Sequence, residues 1–256
     1  WLAEAGYGVM FQAGEWSYPP KGDKKAWPGF ARDFDVEKIA DMVEETGAGF
    51  VVWSVTWTTY FFPAPIKAID KILPGRTCKR DLIMEMADAL NKRGIKLILY
   101  YHVGHDNNPN MDWWDRNWNP KWEQEDYDKS LFFKNWISII TEVGERYGKK
   151  LAAWMFDDDC VIYPADYETL GRAAKAGYDG RLISYNCWIA CRFTEFQDFY
   201  FGEGFRGDGR GKVENGKFTE GPVKGLQAFG CIMLDGPNWG VRKPNTIINP
   251  PNFSIG

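Results

Sequence analysis

Apolar positions along the chain follow two periods. Runs rich in β-branched and aromatic residues read as strands: "GYGVMF" (6–11), "FVVWSVTW" (50–57), "KLILYY" (96–101), "KLAAWMF" (150–156) and "RLISYN" (181–186). Amphipathic stretches lie between them. In "DVEKIADMVEETG" (35–47), Val36, Ile39, Ala40 and Val43 form a helical stripe, with Asp35 as N-cap and Gly47 as C-terminal stop. "RDLIMEMADALNKRG" repeats the device through Leu82, Ile83, Met86, Ala87 and Leu90, with Asp81 as cap and Gly94 as stop. "SLFFKNWISIITEVGERYG" predicts a longer helix with Phe133, Trp136, Ile137 and Ile140 on one face, and "YETLGRAAKAGY" a fourth helix. Past residue 186 the rhythm loosens. Strands are expected near 198–202 and 226–234, with the Gly- and charge-rich segment 206–221 as a surface loop or hairpin between them.

Buried strands alternating with helices imply a parallel sheet covered by helices. No glycine-rich phosphate loop follows the first strand, which disfavours a dinucleotide-binding sheet. The pattern predicts an α/β chain folded as a single (β/α)8 TIM-like barrel over 1–256. Seven strands can be counted; the eighth is missing, degenerate or beyond Gly256.

Charge adds little: 31 basic against 35 acidic side chains, a net −4, gives no reason to expect nucleic acid or an anionic membrane as partner. No apolar stretch approaches the roughly 20 residues of a membrane helix. The chain opens at Trp1 without Met, so a preceding segment is expected to have been removed or left out. The five cysteines include Cys187 and Cys191 in a CxxxC spacing but no CxxC pair, and read as packing thiols or one disulfide. Aromatic content changes the picture more. Thirteen Trp, 12 Tyr and 17 Phe fit either a ring-rich core or a carbohydrate site, where an aromatic face stacks on the C–H face of a sugar.

In a barrel, chemistry lies just past each strand. Those positions hold Gln12, Glu15 and Trp16; Thr56, Trp57, Thr58 and Tyr60; His102, His105 and Asp106; Asp157, Asp158 and Asp159; Tyr185, Asn186 and Trp188; Asp198 and Glu203; and Asp235, Asn238 and Trp239. Carboxylates with aromatics and amides are the inventory of a sugar-cleaving site. The triplet after "AAWMF" is either a solvated strand end or a strand delivering a nucleophile, with a second carboxyl group as acid and base. The spacing H-x-x-H-D at 102–106 also admits a metal reading with Asp157 or Asp159. "WWDRNWNPKW" (113–122) would wall a substrate cleft or fold as its own aromatic patch.

Several of these segments resemble glycoside hydrolase family 29, the α-L-fucosidases. "WLAEAGYGVMFQAGEWS" resembles the family's opening strand, "FDVEKIADMVEETGAGFVVWSVTWTTYFFPAP" its second unit and "RDLIMEMADALNKRGIKLILYY" its third. "AAWMFDDD" resembles the strand end that carries the family's nucleophile, which implies that role for Asp157. "DFYFGE" resembles the segment that would make Glu203 the acid/base, with Glu195 and Glu220 as rivals, and "NWG" (238–240) resembles the closing motif. The chain departs from the family where sugar-gripping histidines are usual: Gln12-Ala13 ends the first strand, and Thr56 and Trp57 stand near the end of the second. The architecture and the Asp157 position therefore carry over, and fucose specificity does not.

The resulting expectation is a retaining glycoside hydrolase for an α-linked, fucose-like or otherwise modified sugar, using Asp157 and Glu203. Gln12, Trp16, Thr56, Trp57, His102, His105, Asp158, Asn186, Trp188 and Trp239 would bind substrate, an oligosaccharide or glycoside. Neither a metal nor another cofactor is expected. The competing readings are a carbohydrate-binding barrel without catalysis and a metal-dependent hydrolase using His102, His105 and Asp157. The resemblance also implies an extracytoplasmic location and allows a further C-terminal module.

Overall fold

A computed structural model describes residues 1–12, 23, 25–56, 60–102, 126–157, 165–186, 194–203 and 211–231. Five parallel strands, β1 (Gly8–Gln12), β2 (Phe50–Val55), β3 (Lys96–His102), β4 (Leu151–Asp157) and β5 (Leu182–Tyr185), lie side by side in chain order. The intervening helices are α1 (Trp27–Asp33), α2 (Val36–Thr46), α3 (Lys67–Ile72), α4 (Leu82–Lys92), α5 (Ser130–Tyr147) and α6 (Tyr167–Ala174). This is an α/β fold.

Local signals account for most of these boundaries. Asp35 accepts the Lys38 N–H at 3.1 Å, and Gly47 ends α2 in the left-handed region at φ 77°. Asp81 accepts the Met84 N–H at 2.9 Å to start α4, and Asp166 accepts the Thr169 N–H at 3.0 Å to start α6. Helix α3 has no cap of its own and no counterpart among the sequence expectations. Its first N–H groups, Lys67 and Ala68, donate at 2.8 and 2.6 Å to the Glu142 carboxylate on α5, a cap supplied from distant sequence. The buried face of α5 is Phe132, Trp136, Ile139, Ile140, Val143 and Tyr147, while Phe133 and Ile137 are only partly buried. It is rotated slightly from the expected stripe.

The two faces of the parallel sheet have different duties. Val51, Trp53, Val55, Leu97, Leu99, Tyr101, Trp154, Phe156, Ile183 and Tyr185 pack under the helices. Phe50, Val52, Ile98, Tyr100, Ala153 and Met155 form a second cluster on the other face. A register shift between Leu97 and Ile98 inserts Ala152 as an extra residue in β4. Because side chains alternate, one extra residue moves everything after it to the opposite face. The bulge puts Ala153 and Met155 in the second cluster and carries Asp157 to that same face.

A second sheet covers this inner face. β6 (Phe199–Glu203) pairs in parallel with β9 (Gln227–Cys231), and a hairpin of β7 (Val213–Glu214) and β8 (Lys217–Phe218) adds on antiparallel. The hairpin turns at Asn215 and Gly216, with φ of 50° and 74°, as a two-residue turn requires. Phe199, Phe201 and Phe229 join the inner cluster, and the Phe229 ring lies 5.6 Å from that of Phe50 on β2. One parallel bridge, Asn186 to Phe201, links the two sheets. Residues 232–256, which include the end of the strand expected near 226–234, lie outside the described residues.

Arg181, fully buried just ahead of β5, ties the opposite end together. Its Nε donates to the Leu151 carbonyl at 3.0 Å, Nη1 to Ala174 and Ala176 at 2.7 Å each, and Nη2 to Gly144 at 2.8 Å and Gly148 at 2.7 Å. Five N–H groups thus meet five carbonyls, four of them at or just past the C-terminal ends of α5 and α6, where unpaired carbonyls collect. Burial lowers the guanidinium to about 10, which leaves it charged at neutral pH.

Candidate active site

Parallel pairing places the carboxyl ends of the strands together, the side where open α/β sheets bind ligands. Asp157 ends β4 there, on the inner face and 5% exposed. Buried carboxylates require hydrogen-bond partners, and this one has them on both oxygens. The Asn186 Nδ2 donates to Oδ1 at 2.6 Å, and the Tyr100 hydroxyl donates to Oδ2. His102 Nε2 lies 3.3 Å from Oδ2. These donors come from neighbouring strand ends: the register pairs His102 directly with Asp157, and Asn186 follows β5, its N–H donating to the Phe156 carbonyl at 2.8 Å.

His102 is itself fixed from β2. The Thr56 hydroxyl donates to the His102 carbonyl at 3.1 Å, and the His102 N–H donates back to Thr56 Oγ1 at 3.2 Å. Thr56 has φ 63°, a conformation that β-branched residues seldom adopt. Gln12 ends β1 in register with Ser54 and is partly exposed. Glu203 ends β6, paired in register with Cys231.

Asp157, His102 and Asn186 therefore meet, and Thr56 reaches the group through His102. Trp16, Trp57, His105, Asp158, Trp188 and Trp239 lie outside the described residues. Among the described residues no group of three His, Cys, Asp or Glu gathers as metal ligands. Three expected carboxylates fall elsewhere. Asp198 precedes β6 rather than following it, pairs with Lys175 at 3.0 Å and accepts the Ile183 N–H at 2.9 Å. Glu195 and Glu220 are exposed and also precede their strands, so in a parallel arrangement they belong to the end away from Asp157.

Tyr100 was missed from the sequence. The available signal was parity: two residues before His102 on one strand, it shares that residue's face. Its neighbour Tyr101 faces the helices, shares a 2.6 Å hydrogen bond with the Tyr60 hydroxyl, and has its phenol held well above the usual range by burial.

A family model described as Alpha-L-fucosidase matches residues 13–182, about two thirds of the chain. The chain belongs to the alpha-L-fucosidase family. Its members are glycosidases, and the matched span of this fucosidase-family chain includes Asp157 and His102 but ends before Asn186 and Glu203. Among solved structures, the alpha-L-fucosidase AlfC from Lactobacillus casei in complex with its alpha-L-fucose product is similar at 21% identity and TM-score 0.55, over 80% of this chain and 78% of that one. AlfC in complex with Fuca(1,6)GlcNAc gives 20% identity and TM-score 0.59, over 84% and 76%. An alpha-L-fucosidase from Bacteroides thetaiotaomicron gives 16% and 0.52, over 80% of this chain and 52% of that one. These likenesses establish the fold. Comparison with curated protein sequences gives no match.

Proposed function

We propose that this chain is a retaining glycosidase acting on an α-linked fucose or fucose-like sugar, with Asp157 as nucleophile and Glu203 as acid and base. The observation that carries the reading is the placement of Asp157: a buried carboxylate at a parallel strand's carboxyl end, on the inner face, with donors on both oxygens. A nucleophile needs that fixed aim. The Asp157 carboxylate attacks the anomeric carbon as the glycosidic C–O bond breaks, and Glu203 gives its proton to the departing oxygen. Water then attacks the covalent intermediate, losing its proton to Glu203 and releasing Asp157.

Glu203 is supported by chain position. It lies two residues beyond Phe201, whose bridge partner Asn186 holds Asp157. In the same reading the two sheets are parts of one (β/α) barrel. The parallel Asn186–Phe201 bridge and the Phe50–Phe229 contact support that closure. The solved relatives bound to fucose and Fuca(1,6)GlcNAc support the substrate class.

Asp157→Ala tests the reading on an aryl α-L-fucoside. Hydrolysis should fall by at least about 1,000-fold while thermal unfolding stays within a few degrees of the parent. Unchanged hydrolysis would remove the assignment.

A further inference from the structure

We propose that Thr56 and His102, expected from the sequence to contact sugar, act instead as positioning residues for Asp157: Thr56 locks the end of β2 to the His102 backbone at the end of β3, and the His102 ring is thereby held against Oδ2 beside the Tyr100 hydroxyl. The catalytic consequence rests on Asp157 being the nucleophile; the positioning itself does not.

Thr56 comes one residue after β2 ends, where the regular pairing stops at Val55 with Tyr101. Its backbone turns into the left-handed region at φ 63°, yet its side chain continues the ladder by one rung through two bonds to the His102 backbone. Such a conformation persists where surrounding contacts over-determine it. The residue is 1% exposed, and its single hydroxyl proton is directed at the His102 carbonyl. That proton is not available to a sugar while the rung is intact.

The rung fixes the residue whose imidazole meets the carboxylate. Oδ2 accepts the Tyr100 hydroxyl and has His102 Nε2 3.3 Å away, while Oδ1 accepts the Asn186 amide. Asp157 lies within ion-pair distance of His102, and the Tyr100 ring packs beside the imidazole.

The chain contains two histidines, which makes imidazole NMR a clean readout. His105→Gln assigns the two signals. In Asp157→Asn the His102 titration midpoint should drop by about one pH unit, because the carboxylate that favours its cationic form is gone. Thr56→Gly, which accepts the left-handed backbone but lacks the hydroxyl, should move the midpoint the same way by less, and Thr56→Ser should leave it in place. In kinetics, His102→Gln should lower kcat about 10- to 100-fold with KM within about twofold. A midpoint identical in the parent and Asp157→Asn, or a His102→Gln effect confined to KM, would overturn the proposal. A silent Thr56→Gly would remove Thr56 from it. If Asp157→Ala still hydrolyses fucoside, the nucleophile reading falls while the NMR result stands on its own.

Discussion

Strand β4 carries a buried charged network at each end, and the two are built from different material. At its start, Leu151 offers a backbone carbonyl to Arg181, whose other four N–H groups also end on backbone carbonyls. At its close, Asp157 is held by side chains: Asn186, Tyr100 and His102. Carbonyls from helix ends are fixed by the fold itself and satisfy a cation without offering any group for chemistry. Side-chain donors cost more ordering, but they aim the carboxylate itself. The first network ties strand and helix ends together, and the second, in the proposed function, aims the nucleophile. Both keep a charge buried, so burial alone does not mark a functional residue.

The contrast breaks most sharply at Arg181. Arg181→Met would strand five buried carbonyls, at a cost of about 4 kcal/mol, and lower Tm on the order of 10 °C in a chain of this size. Fucoside hydrolysis per folded molecule, measured well below Tm, should match the parent. An unchanged Tm, or a large loss of rate in the folded variant, would erase the division between the two ends. A smaller effect comes from Gly144. Replacing glycine by alanine inside a helix ordinarily gains about 1 kcal/mol. Here the new Cβ would fall 2.7 Å from both the Ala176 carbonyl oxygen and Arg181 Nη1. Gly144→Ala should therefore destabilise by about 1–3 kcal/mol, read as a drop in Tm. A rise would show that the staple has slack.

The smallest effect concerns a half-buried thiol. The Cys78 thiol donates to the Arg80 carbonyl at 2.9 Å, and burial, reinforced by the charge of Asp81, pushes it up to about 11. Near pH 8 only about 0.1% would be thiolate, so alkylation followed by peptide mass spectrometry should find Cys78 slow, with the rate rising about tenfold per pH unit. Fast labelling at pH 8 would contradict the burial effect.

What was legible in the sequence follows the range of the interactions. Helices α2 and α4 were readable because their caps and stops sit within a few residues, at Asp35 and Gly47 and at Asp81. Helix α3 was not, since its cap comes from Glu142. Asp157 stood out as a carboxylate after an apolar strand. Its orientation was hidden, because it depends on the Ala152 bulge that rephases β4. His102 and Asn186 were found as strand-end polar residues, but their direct contact with Asp157 required the register. Arg181 gave no local sign at all. Its partners are spread from Gly144 to Ala176, and a lone arginine before a strand reads as surface.

In the proposed function the Asp157 carboxylate forms the covalent bond to the sugar. Incubation with a 2-fluoro-fucosyl fluoride, which slows release of the intermediate, followed by mass spectrometry of peptic fragments, tests it directly. One fluorofucosyl adduct is expected, on the fragment containing Asp157 and absent from Asp157→Ala. An adduct on another carboxylate, or complete turnover with inverted product and no adduct, would contradict it.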